Sequence, residues 1–289
     1  MKKTSPQKAS WPQPRAVFTA LTSAVKALAL AGILAGLLLA APGCEKTDAS
    51  EELLSKSREL WENGHYEDAA RGFVSLFELF PESPVAGESL FWAANLYQFY
   101  LEDQHTAIKL YQQYAARFPD GRYLLEVKEN MAVLFEDDPE TRHRALQIYQ
   151  QLVLHPALVD RRDQLLKKVG LLYMNLGRMD QARQAFRDLL KNHPQSPERA
   201  EVYYLVGYSY YLEKRVEMAL AAFKRTVKDF AGTPVAVRSQ FFIADTLEEK
   251  GEMRSALKAF KTLEGRYPHP TILEKRIKTL EARIRRGVR

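Results

Sequence analysis

The sequence predicts an all-α solenoid of about six helix-turn-helix units, and three observations support this fold class. Alanines recur beyond residue 50 at intervals of 37 or 38 residues, a regularity that is typical of repeat proteins. An aromatic residue follows each alanine by four positions, which places both on one helical face. A proline follows by eleven or twelve positions in most units. The alanines are Ala69, Ala107, Ala145, Ala182, Ala219 and Ala256, and the aromatic residues are Phe73, Tyr111, Tyr149, Phe186, Phe223 and Phe260.

Each unit is predicted to contain two helices joined by a tight turn. Gly64, Gly177 and Gly251 stand five positions before the alanine, where a glycine ends the first helix by adopting the left-handed conformation at little cost. The second and third units have Glu102 and Glu140 at this position, so the sequence does not mark the ends of their first helices. The prolines are expected to end the second helices.

Residues of alternating size are predicted to form the contact between the paired helices. Twelve positions before the alanine most units have a small residue, and three positions later a large one. The small residue would let the two helices approach closely, while the large residue fills the remaining space. The small residues are Ser57, Gly170, Gly207 and Ala244, and the large ones are Leu60, Tyr173, Tyr210 and Leu247.

A basic helix is expected at the C-terminus. Leu273, Ile277, Leu280 and Ile284 recur at heptad-like spacing, which indicates one apolar face. Because the last unit of a solenoid has no neighbour on one side, this segment, residues 271–289, is interpreted as a cap.

These offsets of glycine, small residue, aromatic and proline resemble the tetratricopeptide repeat over about three quarters of the chain. The resemblance implies a right-handed superhelical solenoid over residues 51–270. It also implies that the first helices line a groove for protein partners, such as extended peptides or helices.

The N-terminal segment has the layout of a secretory signal peptide. Basic residues precede an uncharged run from Ala27 to Ala41, which Pro42, Gly43 and Cys44 follow. Small residues before a cysteine resemble the lipobox of bacterial lipoproteins. The resemblance implies a signal peptide over residues 1–43 and diacylation of Cys44.

The lipidated cysteine would be followed by a short polar tether over residues 44–50. Glu45 stands where enteric lipoproteins retained in the inner membrane have Asp, so we expect an outer-membrane location on the periplasmic face, with the inner membrane as the alternative. A second alternative is an uncleaved membrane anchor, since the segment from Ala16 to Ala41 is long enough to span a bilayer.

The sequence contains no motif for catalysis, cofactor binding or a metal site. Neither a phosphate-binding glycine loop nor a nucleophile elbow is present, and the six histidines lack HExxH spacing. Five of the 42 basic residues precede Cys44, which leaves 37 basic against 36 acidic residues in the rest of the chain. This balance argues against a nucleic-acid partner. We predict a non-enzymatic protein with no cofactor and no small-molecule substrate.

The first helices are predicted to present contact residues to a protein partner. Tyr204, Tyr208 and Tyr211 share one face of the fifth unit's first helix, and tyrosine is common at protein interfaces. Alternatively, the neighbouring repeats bury these rings. The same register places further candidates in the groove, namely Trp61, Phe91, Asn95, Gln98, Lys167, Leu171 and Phe241.

Two groups of envelope proteins contain similar segments. Residues 66–123, with an FPxSP turn from Phe80 to Pro84, resemble the BamD-like lipoproteins of outer-membrane β-barrel assembly. Later repeats resemble CpoB-like periplasmic proteins, which work with the Tol-Pal system and peptidoglycan synthesis. The resemblances imply an envelope scaffold, BamD-like in the first interpretation and a CpoB-like adaptor in the second.

Overall fold

The computed structural model describes the backbone of residues 43–287 and the side chains of residues 49–287. This part of the chain contains thirteen α-helices, one 3₁₀ helix and no strand. The predicted signal peptide, apart from Gly43, and the thiol of Cys44 lie outside the described residues. The α-helices are α1 (Gly43–Glu62), α2 (Tyr66–Leu79), α3 (Ala86–Phe99), α4 (Gln104–Arg117), α5 (Leu124–Asp137), α6 (Arg142–Leu154), α7 (Arg162–Asn175), α8 (Met179–Asn192), α9 (Arg199–Leu212), α10 (Val216–Asp229), α11 (Pro234–Glu249), α12 (Met253–Lys261) and α13 (Pro270–Arg285), and the 3₁₀ helix spans Pro156–Arg161.

Each helix packs against the one before it and the one after it, from α1 to α13. Short turns reverse the chain between consecutive helices, so the odd-numbered helices run in one direction and the even-numbered helices α2 to α12 in the other. This arrangement confirms the predicted all-α solenoid with six helix pairs and a capping helix. Within the described residues, every helix is too short or too polar to cross a bilayer.

Close contact between paired helices depends on the small residues of the first helix. A Cβ atom added to Gly170 would lie 2.2 Å from Cε1 of Phe186, and one added to Gly207 would lie 2.7 Å from Cδ1 of Phe223. The repeat alanines are all fully buried. Both predicted packing positions are therefore confirmed in these units.

Two units combine a tyrosine with a polar residue instead. The hydroxyl of Tyr111 lies 2.5 Å from Oδ1 of Asn95. The hydroxyl of Tyr149 donates to Oε1 of Glu136 at 2.5 Å. Glu136 lies in the last turn of α5 and also accepts from Nζ of Lys168 at 2.9 Å.

The turns between paired helices use a left-handed residue in five of the six units. Gly64, Gly177 and Gly251 have φ values of 81°, 71° and 85°, as predicted. Glu102 and Lys214 adopt the same conformation, with φ values of 54° and 59°. A glycine is thus not required for this turn, although it removes the steric cost.

The third unit departs from the repeat register. Val133 occupies the position of the small packing residue in the alignment but is 43% exposed, whereas Ala132 is fully buried. The turn after α5 passes through an extended residue, Asp138, with φ −93° and ψ 120°. Here the hydroxyl of Thr141 donates to the carbonyl oxygen of Phe135.

The two ends of the solenoid are both helical. Within the described residues helix α1 spans Gly43–Glu62 and includes residues 44–50, so the segment interpreted as a tether is not an extended spacer. At the other end Leu273, Ile277 and Leu280 are buried against the last repeat, in a cluster that includes Phe260. Helix α13 therefore covers the apolar side of α12, as a cap does.

Candidate protein-binding surface

The six first helices form a continuous surface, which we call the first-helix wall (α1, α3, α5, α7, α9 and α11). Polar contacts join each member to the next. Most of them are ion pairs between residues about one repeat apart. From the N-terminal end, the linked pairs are Arg58 with Glu88, Asn130 with Asn95, Lys168 with Glu136, Lys167 with Glu198, and Arg238 with Glu201. These contacts thus neutralise several of the wall's charges within the protein.

Three aromatic residues gather at the N-terminal end of the wall. Trp61 on α1 and Trp92 on α3 are half-buried, and their ring centroids lie 4.9 Å apart. Tyr123, the N-cap residue of α5, forms an edge-to-face contact with Trp92, with ring centroids 6.3 Å apart. The rings come from three successive units, so the packing of the repeats creates this apolar patch.

Glu88 holds this patch in place. Its Oε1 accepts from Nε1 of Trp92 at 3.1 Å and from Nη2 of Arg58 at 2.6 Å. Burial alone would raise the pKa of Glu88, but the hydrogen bond from Trp92 and the charge of Arg58 together lower the pKa below its ordinary value. For Tyr123, burial and the nearby Glu88 charge raise the pKa to about 12, so its hydroxyl is neutral at pH 7.

A polar group lies in the middle of the wall's N-terminal half. The hydroxyl of Tyr111 lies 2.7 Å from Oε1 of Gln98 and accepts from Nδ2 of Asn130 at 3.0 Å. Burial raises the pKa of Tyr111 well above its ordinary value. Because Gln98 and Asn130 are only half-buried, their amides are accessible for hydrogen bonds to a partner's backbone.

A larger aromatic group lies near the C-terminal end. Phe242 on α11 contacts the rings of Tyr204, Tyr208 and Tyr211 on α9 at centroid distances of 5.8, 5.1 and 5.2 Å. The guanidinium of Arg238 lies over the ring of Tyr204 at 4.3 Å. Neighbouring repeats thus pack these rings together, but of the three tyrosines only Tyr204 is buried.

The structure removes three residues from the predicted contact set. Phe91, Asn95 and Tyr204 are 1%, 6% and 7% exposed, so they contribute to packing between repeats. The ring of Phe91 stacks on Tyr123 at 4.1 Å. Burial also raises the pKa of Tyr204. The remaining predicted residues are half-buried on the wall and stay candidates: Trp61, Gln98, Lys167, Leu171, Tyr208, Tyr211 and Phe241.

Sequence reasoning missed several residues of the wall. Trp92 and Asn130 lie in the units without a turn glycine, where the register was least defined. Tyr267 stacks on Phe241 at 4.6 Å but lies in a turn after α12. The sequence did contain a signal for Trp92, because this large aromatic residue directly follows Phe91 on a helix whose other face is the core.

Parts of the chain are similar to known repeats. Residues 88–121 and, in two overlapping matches, residues 169–232 and 215–269 match models described as tetratricopeptide repeat. These segments, which together cover less than half of the chain, are similar to the tetratricopeptide repeat. No curated protein sequence matches the chain.

Solved structures of tetratricopeptide repeat proteins have the same fold. A protein from Parabacteroides merdae is 16% identical, with a TM-score of 0.58 over 81% of this chain and 88% of that one. The C-terminal part of a repeat protein from Cytophaga hutchinsonii is 17% identical, with a TM-score of 0.53 over 73% of this chain and 77% of that one.

A third structure contains a protein partner. It is the complex of Naa15 and Naa10 bound to HypK, 17% identical with a TM-score of 0.56 over 82% of this chain and 34% of that one. This chain therefore spans about a third of the matched chain. Tetratricopeptide repeats are generally non-catalytic scaffolds that bind proteins, and no catalytic family matches.

Proposed function

We propose that this protein is a non-catalytic, protein-binding scaffold of the bacterial cell envelope, anchored by lipid at Cys44 to the periplasmic face of the outer membrane. Within that role we assign it to the BamD-like class, concerned with the assembly of outer-membrane proteins. The leader with its uncharged run from Ala27 to Ala41 supports the anchor. The FPxSP turn from Phe80 to Pro84 supports the class.

The first-helix wall is the observation that carries the scaffold function. It presents half-buried aromatic rings, among them Trp61, Trp92 and Tyr208, together with accessible amides. Aromatic side chains are enriched in protein interfaces, where they bury a large area at small entropic cost. Because internal ion pairs, Arg58 with Glu88 and Arg238 with Glu201, neutralise the charges beside the aromatic rings, a partner with an apolar face or an extended backbone fits this surface best.

Site-specific photocrosslinking in envelopes of the native bacterium tests this function. A photoreactive amino acid replaces Trp61 or Tyr208 on the wall, and Gln112 or Lys224 on the exposed side of second helices serves as the control. Crosslinked proteins are identified by mass spectrometry. We expect the large subunit of the barrel-assembly machinery from the wall positions only.

Other outcomes would change the assignment. Recovery of Tol proteins or wall synthases would replace the BamD-like role with the CpoB-like adaptor role. Equal crosslinking from wall and control positions would contradict the wall as the binding surface. Metabolic labelling with an alkyne fatty acid tests the anchor separately: Cys44→Ser must lose the label, whereas an uncleaved anchor would leave the intact 289-residue chain in the mass spectrum.

A further inference from the structure

We propose that one edge of the solenoid rests on the lipid bilayer, with Leu79 and Leu154 inserted at its surface. This inference rests on the proposed lipid anchor at Cys44. The edge in question is the one at which the odd-numbered helices begin and the even-numbered helices end. We call it the starting edge; in the N-terminal half it consists of the start of α1 and the turns at residues 80–85, 118–123 and 155–161.

The position of the anchor brings this edge to the membrane. Cys44 lies in the first turn of α1, so no flexible spacer separates an acyl group there from the helix. Ser50 lies six residues further along, a rise of about 9 Å. The hydroxyls of Ser50 and Ser83 are 2.7 Å apart, which ties the start of α1 to the turn after α2. A lipid at Cys44 therefore holds the starting edge close to the bilayer.

The most exposed large apolar side chains of the described residues lie at this edge. Leu79, the last residue of α2, is 67% exposed, and Leu154, the last residue of α6, is 79% exposed. Val159 in the 3₁₀ helix and Ile272 at the start of α13 are 49% and 52% exposed at the same edge. Insertion at the boundary of headgroups and acyl chains removes such side chains from water, which is favourable.

In the N-terminal half, the opposite edge is unsuited to an anionic lipid surface. Its first three turns, residues 62–68, 100–106 and 137–141, contain Asp and Glu but no Lys or Arg. At the starting edge the acidic residues of the turns and of the start of α1 are mostly matched by basic ones: Glu82 pairs with Arg117, and Asp120, Asp160, Glu45 and Asp48 are accompanied by Arg122, Arg161 and Lys46. Anionic headgroups would therefore repel the opposite edge more strongly than the starting edge.

Fluorescence labelling of the acylated full-length protein tests this inference. Because Cys44 is the only cysteine of the chain, acylation leaves an introduced cysteine as the sole free thiol. Leu79→Cys and Leu154→Cys carry an environment-sensitive label. Leu212→Cys, at the opposite edge and 44% exposed, is the matched control. The proteins are reconstituted into vesicles of phosphatidylethanolamine and phosphatidylglycerol.

We expect blue-shifted emission and loss of quenching by aqueous iodide at positions 79 and 154, but not at position 212. Equal quenching at all three positions in vesicle-bound protein would overturn this inference and leave the anchor intact. Failure of the acylated protein to float with the vesicles would overturn the anchor, and this inference with it. Protection at position 79 in native envelopes but not in pure lipid would identify a protein as the occupant and overturn the lipid contact.

Discussion

The aromatic residue that follows each repeat alanine determines what its partner on the first helix must be. Phe186 and Phe223 lie against glycines, because a ring without a polar atom needs only space. Tyr111 and Tyr149 instead lie against Asn95 and Glu136, each of which interacts with the buried hydroxyl. A buried hydroxyl without a partner would cost about 1–3 kcal/mol. The two residue types therefore change together from unit to unit.

Removing one such hydroxyl tests this pairing. Tyr149 is 3% exposed, and Tyr149→Phe should lower the free energy of unfolding by about 1 kcal/mol because Glu136 loses one of its donors. Tyr203→Phe is the control, since the Tyr203 hydroxyl accepts from Arg225 at an exposed site. Urea denaturation measures both variants, and equal losses would contradict the argument.

The left-handed turn residues allow a stabilising substitution. Lys214 has a φ of 59°, a conformation that costs a residue with a Cβ atom about 1–2 kcal/mol. Lys214→Gly removes that cost but makes the unfolded chain more flexible, so we expect a net gain of up to about 1 kcal/mol. Gly177→Ala, at φ 71°, should lose about as much. Thermal denaturation should shift the two variants in opposite directions.

Glu88 should give the protein part of its acid sensitivity. Because the pKa of Glu88 is lowered in the folded state, its contribution to stability is fully present above the ordinary value of 4.5 and is lost as the pH falls through the lower folded value. Between pH 7 and pH 3 the wild type should therefore lose more stability than Glu88→Gln. Glu82→Gln, at a side chain 82% exposed, should follow the wild type; coincident curves for all three would disprove the role of Glu88.

At the scale of the helices, the regular units could be predicted and the irregular ones could not. The repeat alanines, the turn glycines and the capping face follow from spacing, because each position has the same neighbours in every unit. The third unit breaks this regularity, with Ala132 in place of Val133 at the core and a 3₁₀ helix after α6. Its turn depends on the hydroxyl of Thr141, a local contact that no repeat pattern reveals.

Overpacking one helix pair tests the placement of the repeat. Ala182 on α8 is fully buried, and Ala182→Leu should cost about 1–3 kcal/mol because the added atoms have no space. Ala221→Leu, at an exposed position of α10, is the matched control and should change stability little. If Ala182→Leu melted at the wild-type temperature, the assignment of this alanine to the helix interface would be incorrect.

At the scale of the whole solenoid, contacts between repeats decide which side chains remain accessible. The sequence identified Tyr204, Tyr208 and Tyr211 as one face, but the burial of Tyr204 depends on Phe242 from the next repeat. Arg183 is another example: it is 2% exposed and donates to Glu213 of the following repeat at 2.8 Å. The pattern within one repeat predicts its helices well, but it does not predict the contacts that neighbouring repeats make with them. The wall could therefore be predicted only in part.

Deletion of the cap should show that stability is transmitted from repeat to repeat. Removing residues 270–289 would expose Phe260 and Leu263, which α13 covers. In a solenoid each unit depends chiefly on its neighbours, so α11 and α12 should lose amide protection while α1 to α4 keep theirs. Hydrogen exchange with mass spectrometry measures this profile, and Ile277→Asp should reproduce it within the full-length chain. A uniform loss of protection along the chain would show instead that all six units unfold as one.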